Sequence, residues 1–331
     1  TKLTREDSDR NANKRQRRHQ QSLERQKKER IQHCTRTSGS SSAASSMSTP
    51  QAWEPPLTIT TLYEKASSMG GMNRPTSGQR NDDELNVGTA PFQLYSLATP
   101  NGQKVGILLE ELGIQYDAHV INIGRLQQFT KGFVAANPNS KIPAAFDHAP
   151  VDGGEPVRLF ESGAMMVYLA EKYERFLPQD PRQKAECMNW VMWQMAGQGP
   201  MTGNFGHFMV YAPGEKGNAR EYGVARYGME VQRLCDTLDQ HLQDKTYMCG
   251  EEYTIADMII FPWFDIVRGK GYTHANGVAA RDFLNVKQYK HANRWADRMH
   301  ARPEVRRGML VCRGTPKPWL VDDRFKHLAK L

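Results

Sequence analysis

Apolar residues are sparse and without period at the start of the chain, and they fall into two successive patterns after residue 91. Residues 1–33 are dominated by Arg, Lys, Gln, Glu, Asp and Asn, and residues 37–49 are almost entirely Ser, Thr, Ala and Gly. Neither stretch holds enough apolar area to offset the entropy of ordering it, so 1–49 is expected as a disordered basic and Ser-rich tail. From Phe92 the pattern changes. Residues 92–97 alternate as a strand, and Thr99-Pro100-Asn101-Gly102 punctuates it. Val105, Leu108, Leu109 and Leu112 then recur at helical spacing until Gly113. Residues 116–121 read as a second strand, 142–146 and 157–160 as a hairpin pair, and 163–173 as a helix. Beyond Pro181 the strand signals stop, and helical patterns run through 182–193, 218–242, 255–267 and 289–299. Thr254-x-x-Asp257 forms a capping box that opens the third of these.

Strand, helix, strand, helix, two strands and a helix within 92–173 is the thioredoxin order. The pattern therefore predicts an α/β thioredoxin-like N-terminal domain over 91–177 and an all-α C-terminal domain over 181–313. Residues 50–90 are expected to pack on that core as an extension, and 314–331 to form a C-terminal tail. Charge sharpens this division. The chain carries a formal net charge of +8 and a pI near 9.2, but residues 1–46 hold twelve Lys/Arg against five acids. The body is close to neutral, which argues against a nucleic-acid surface on the folded part. The tail explains a mean hydropathy of −0.67 that is low for a globular protein. Its Arg and Ser content also fits an organelle-targeting peptide, although its acids do not, and Met47 reads as a plausible native start.

The longest apolar run, residues 258–264, is too short to span a bilayer and contains Pro262. Five cysteines, widely spaced and odd in number, suggest neither a disulfide framework nor a zinc site. A cytoplasmic location is the expectation.

Four runs carry a resemblance to a known family. They are residues 92–105, with Thr-Pro-Asn-Gly; 137–143, Asn-Pro-Asn-Ser-Lys-Ile-Pro; 160–163, Phe-Glu-Ser-Gly; and 252–258, Glu-Tyr-Thr-Ile-Ala-Asp-Met. With Asn73-Arg74-Pro75 upstream, the chain resembles glutathione transferases over about 50–313, and more narrowly the Nu-class, YghU-like disulfide-bond oxidoreductases. The resemblance implies a thioredoxin-like domain plus an all-α glutathione transferase domain, a homodimer, and glutathione as co-substrate.

Glutathione presents two carboxylates, an amine and a thiol, and the residues answer that chemistry. Thr99 is a preferred N-cap and Pro100 a preferred first helical residue, so a thiolate at Thr99-Pro100-Asn101 meets free N–H groups and a positive helix end. Lowering a thiol pKa from about 8.5 by about two units requires roughly 2.7 kcal/mol, within reach of such a turn. Thr99 and Asn101 are the catalytic candidates. Ser162 offers N–H and hydroxyl to the γ-glutamyl carboxylate, Glu161 holds its ammonium, and Lys141 reaches the glycyl carboxylate. Ile142, at a cis-proline corner with Pro143, presents its backbone to the cysteinyl unit. The resemblance adds Asn73, Gln128 and Arg226 as glutathione-binding residues. On its own Arg226 reads as a surface helix residue. The family's further glutathione-contacting Gln falls on Met195, with Gln194 beside it, so one contact to a second glutathione is in doubt.

The branch implies a reductase in which one glutathione thiolate attacks the substrate disulfide and a second glutathione resolves the mixed disulfide, without a catalytic Cys. Conjugation of glutathione to electrophiles is the alternative, as is a non-catalytic regulator on the same fold. Trp190, Met192, Trp193, Met195 and Met201 at helical spacing fit core or dimer interface better than an electrophile pocket.

Overall fold

The computed structural model describes Thr58, residues 75–212 and residues 218–329. The fold lies in the second of two compact units, Ile59–Leu331. The expected tail, 1–49, falls outside the described residues.

A four-stranded sheet is laid down first. Strand β1 (Phe92–Ser96) leads into helix α1 (Pro100–Leu112) and strand β2 (Tyr116–Val120), then short helix α2 (Lys131–Ala136). Strands β3 (Ala144–Asp147) and β4 (Val157–Phe160) follow, and helix α3 (Ser162–Lys172) closes the unit. The strand order is β2-β1-β3-β4, with β1 parallel to β2 and antiparallel to β3. This is the thioredoxin order expected above. Leu94, paired with Ala118 and Ala145, is fully buried at the centre of the sheet. One face is covered by α1, α3 and the helices beyond. The other carries a smaller core of Tyr95, Ile121, Phe133 and Ala144, with Leu85 packed on it.

Leu85 belongs to the 50–90 segment, of which residues 75–90 lie along the sheet domain. Arg80 N–H donates to Phe129 O at 2.8 Å, Lys131 N–H to Asn81 O at 3.0 Å, and Tyr95 Oη to Asn86 O at 2.8 Å. The Arg80 guanidinium sits 3.3 Å from the Phe129 ring centre.

The remainder is helical: α4 (Pro181–Trp193), α5 (Gly199–Gly206), α6 (Asn218–His241), α7 (Ile255–Arg268), α8 (Ala280–Phe283), α9 (Lys290–Ala301), α10 (Pro303–Gly308) and α11 (Pro318–Val321). Helix α7 is buried along most of its length and packs on α1, α4 and α9. Its capping box forms as the spacing predicts, with Thr254 N–H donating to Asp257 Oδ2 at 3.0 Å. The same carboxylate accepts from Met248 N–H and Trp295 Nε1, each at 2.8 Å. Helix α5 was not legible, because Gly197, Gly199, Pro200 and Gly203 read as breakers. The chain continues there through wider π-helical turns at Gln194–Gln198 and His207–Tyr211. Such a turn tolerates the N–H that Pro200 lacks.

Residues 314–329, expected as a tail, carry α11 and a 3-10 turn and bury Trp319 and Leu328. The helical part is bound to the sheet part by charge and by close packing. Arg302 clasps the buried Glu111 with two hydrogen bonds of 2.6 and 2.7 Å, and Arg307 holds Glu110 at 2.7 Å. A Cβ on Gly308 would stand 2.3 Å from the Ile107 Cα, so α10 meets α1 backbone to backbone. Among the described residues no helix is long and apolar enough to cross a membrane.

Candidate active site

The turn from β1 to α1 is built by its own residues. Thr99 is the N-cap in extended conformation, and its Oγ1 accepts from Gly102 N–H at 3.5 Å. Its own N–H donates to Leu97 O at 2.7 Å. Pro100 has no N–H to satisfy, and the Asn101 N–H makes no hydrogen bond among the described residues. Gly102 is required by space, since a Cβ there would lie 2.0 Å from Leu97 O. The four-residue motif thus becomes a tight corner with a free backbone donor at a helix start. The Asn101 side chain is held from across the molecule, where Trp263 Nε1 donates to its Oδ1 at 2.9 Å. An indole N–H can only donate, so the carbonyl end of the amide is the one engaged and the NH₂ end is left over.

The second wall is the loop before β3. Buried Asn137 organises it: its Nδ2 donates to Lys141 O at 2.6 Å, and its Oδ1 accepts from Asn139 N–H at 2.9 Å. The Ile142–Pro143 peptide is cis, as expected. Neither backbone group of Ile142 makes a hydrogen bond among the described residues, which leaves an edge open to a peptide. Buried Ser140 Oγ and Gln128 Oε1 also have no partner among the described residues.

The third wall is the start of α3. Glu161 sits at its N-cap with φ 64° and makes no side-chain cap bond. A non-glycine residue there is strained by about 1 kcal/mol or more, a cost tolerated where the geometry serves a site. Ser162 is buried, and behind it lies Lys104, only 1% exposed, with Nζ 3.3 Å from Ser162 Oγ and 3.5 Å from Met195 Sδ. Burial pushes the Lys104 ammonium down to about 7, against the opposing pull of Glu161.

These walls enclose a cavity of about 570 Å³, within the usual range for a small-molecule site. Thr99, Pro100, Asn101, Gln128, Lys141, Ile142, Glu161 and Ser162, eight of the ten candidates, line it together. Asn73 lies outside the described residues. Arg226 is not brought to the cavity. It projects from the exposed side of α6, 3.8 Å from Glu230, because Val231, Leu234, Cys235 and Leu238 claim the inward face. Met195 packs its sulfur 3.6 Å from Ser162 Oγ behind the wall. Gln194 is fully buried, and neither of its amide atoms has a partner among the described residues. None of Trp190, Met192, Trp193, Met195 and Met201 lines the cavity. Trp190 instead packs on Trp193 and His241, and Met192 is exposed.

The residue patterns missed the opposite wall: Tyr211, Trp263, Ile266 and Tyr272. Trp263 stood in an apolar run that reads simply as core. Lys104 left a readable signal, a charge in line with Leu108 and Leu112 on the buried stripe of α1.

The chain matches the family model described as glutathione S-transferase, N-terminal domain, over residues 98–172, and that of the C-terminal domain over 207–303. It is 45% identical over 272 residues to the Escherichia coli disulfide-bond oxidoreductase YghU, covering 80% of this chain and 90% of that protein. The chain belongs to the glutathione transferase family. Among solved structures, glutathione transferase YghU from Streptococcus pneumoniae, complexed with glutathione, superposes with a TM-score of 0.70 at 42% identity, over 78% of this chain and 98% of that one. A Burkholderia graminis glutathione transferase with two glutathione molecules per subunit gives a TM-score of 0.62 at 39% identity, over 67% and 88%.

Tyr95 is buried in β1, its hydroxyl held by Asn86 and pushed up to about 12 by burial and the nearby Asp117. Ser96 is also buried. Neither reaches the cavity, and no cysteine is among the described residues that line it.

Proposed function

We propose that this protein is a glutathione-dependent disulfide-bond reductase that works with two bound glutathiones and without a catalytic cysteine. The observation that carries the reading is the Asn101 amide. With its carbonyl end occupied by Trp263, its NH₂ end and the free Asn101 N–H are the donors available to a sulfur at the start of α1. A thiolate there is stabilised by those donors, by the Thr99 hydroxyl and by the helix end. Glutathione lies with its cysteinyl backbone along Ile142, its γ-glutamyl carboxylate at Ser162 and its ammonium at Glu161. Gln128 and Lys141 take the remaining peptide and glycyl groups.

The chemistry then proceeds by two exchanges. The first thiolate attacks one sulfur of the substrate disulfide, forming a mixed disulfide and expelling the other sulfur as a thiolate. The second glutathione thiolate attacks the glutathione sulfur of that mixed disulfide, giving oxidised glutathione and the second substrate thiolate. The Escherichia coli relative, a disulfide-bond oxidoreductase, and the two glutathiones of the Burkholderia graminis structure support this reading. Asn73 and Arg226 belong to it as contacts to glutathione by resemblance. A homodimer belongs to it as well, consistent with exposed Met192 on α4 and Tyr222 and Met229 on α6.

The aromatic wall of Tyr211 and Tyr272 favours one second reading, conjugation of glutathione to an electrophile seated there. One experiment separates the two. The full chain is assayed for glutathione-dependent reduction of 2-hydroxyethyl disulfide, coupled to glutathione reductase, and for conjugation of an aryl halide. Disulfide turnover that falls about ten- to hundredfold in Asn101→Ala, the expected loss of a charge-assisted hydrogen bond, supports the reductase. Absence of disulfide turnover with glutathione still bound refutes it.

A further inference from the structure

A second cavity, of about 590 Å³, lies on the other side of the Thr99 turn, and Pro100 and Ile266 line both. Its remaining walls come from α1, α7, α9, α10 and the C-terminal segment. Its character is cationic. Arg306, Arg313 and Arg324 line it, together with His300 and His327, and Asp265 is the one acid among the lining residues. That carboxylate is already taken, by His300 at 2.7 Å and Arg268 at 3.3 Å. Arg324 is held by Asp322.

Arg306 and Arg313 are different. Neither has an ion pair or a side-chain hydrogen bond among the described residues, and the Arg306 Nε is buried without a partner. A buried guanidinium N–H left unpaired is costly, and a planar fork of donors matches a carboxylate better than any neutral group. On a body whose net charge is close to zero, the partly buried Arg306, with its orphaned Nε, and the exposed Arg313 beside it give one concave site two guanidiniums free to meet an anion. Phe325, Met309 and Leu310 give the same cavity apolar surface, so the ligand it suits has a short aliphatic part as well as a charge.

We propose that this cavity receives the carboxylate-bearing arm of the disulfide substrate, so that the enzyme selects small anionic disulfides over neutral ones. The inference rests on the reductase reading above. A disulfide crossing the ridge of Pro100 and Ile266 presents its sulfurs to the thiolate at Asn101 and its far carboxylate to Arg306 and Arg313.

The test compares 3,3′-dithiodipropionate, a dianion, with the neutral 2-hydroxyethyl disulfide in full-length wild type, Arg306→Gln and Arg313→Gln. Each variant is expected to lower kcat/KM for the dianion about tenfold, leaving the neutral substrate and the KM for glutathione unchanged. Raising the ionic strength should erode the wild-type preference. A dianion-to-neutral ratio unchanged in both variants overturns the proposal, and so does an equal fall with both substrates, which would make the arginines structural. Arg313 is exposed, so its variant decides the matter even if Arg306→Gln folds poorly. If wild type turns over neither disulfide while binding glutathione, the reductase reading itself fails and this inference falls with it.

Discussion

Lys104→Met replaces a buried ammonium with an apolar side chain of similar length, and the consequence depends on pH in a way that can be worked out. Lys104 is 1% exposed, and its nearest polar neighbours are Ser162 Oγ at 3.3 Å and Met195 Sδ at 3.5 Å, neither of which carries a charge. Glu161 offsets part of the burial penalty, but the pKa still falls from 10.5 to about 7. Below pH 7 the lysine is charged in both folded and unfolded chains, and the native state bears the whole penalty, at most about 5 kcal/mol at 1.36 kcal/mol per unit. Between pH 7 and 10.5 the unfolded chain binds the proton and the folded one does not, so wild-type stability rises with pH across that window. Two units into it, at pH 9, wild type has recovered about 3 kcal/mol.

The variant gives up the hydrogen bond to Ser162, about 1 kcal/mol, but never bears the penalty. Urea unfolding should therefore show Lys104→Met more stable than wild type at pH 6, with that advantage shrinking by about 3 kcal/mol at pH 9. Other titrations are shared by the two proteins and cancel in the difference. An advantage equal at both pH values would refute the reasoning, because it would mean that the lysine ionises as if in water. If glutathione places its carboxylate at Ser162, wild-type affinity should also fall as pH rises through 7, more steeply than in the variant.

Trp263→Phe removes the donor that fixes Asn101; kcat/KM for disulfide reduction should drop about fivefold to tenfold with glutathione affinity nearly intact, measured by steady-state kinetics and calorimetry. Glu161→Gln removes the carboxylate that the proposed function sets against the γ-glutamyl ammonium and should weaken glutathione binding about ten- to hundredfold. Because Glu161 also offsets part of the Lys104 burial penalty, the variant's unfolding midpoint should lie lower than that of wild type at pH values below 7 and close to it at pH 9. Arg302→Ala strands the buried Glu111 and should cost about 3 kcal/mol in urea unfolding, with Arg302→Ala/Glu111→Gln recovering much of it. Met195→Gln places an amide oxygen beside the Lys104 ammonium, so urea unfolding of this variant should show its rise of stability with pH beginning at higher pH than in wild type.

The difference between the parts of this site that sequence reveals and those it hides is one of range. Thr99, Pro100, Asn101 and Gly102 act within four consecutive residues, and cap, ring and missing Cβ are each local requirements, so the motif is legible without knowing the fold. Asn137-Pro138-Asn139-Ser140-Lys141-Ile142-Pro143 is legible for the same reason, because Asn137 ties the loop to itself. The strand and helix order was equally readable, since periodicity reports burial one element at a time, whereas α5 hid behind glycines and Pro200 that wider turns accommodate. Lys104 and Trp263 act across 58 and 162 residues of chain, respectively. No local rule marks either one, beyond the charge that interrupts an apolar stripe at 104. Met195 shows why this hidden layer matters to chemistry. An amide at that position would solvate the Lys104 ammonium and hold it charged behind Ser162. A thioether solvates it poorly, so the charge behind Ser162 becomes conditional on pH near neutrality. Two glutathione transferases with the same turn, the same Glu-Ser and the same cis-proline can therefore differ in how the charge behind Ser162 follows pH, through the side chain at position 195.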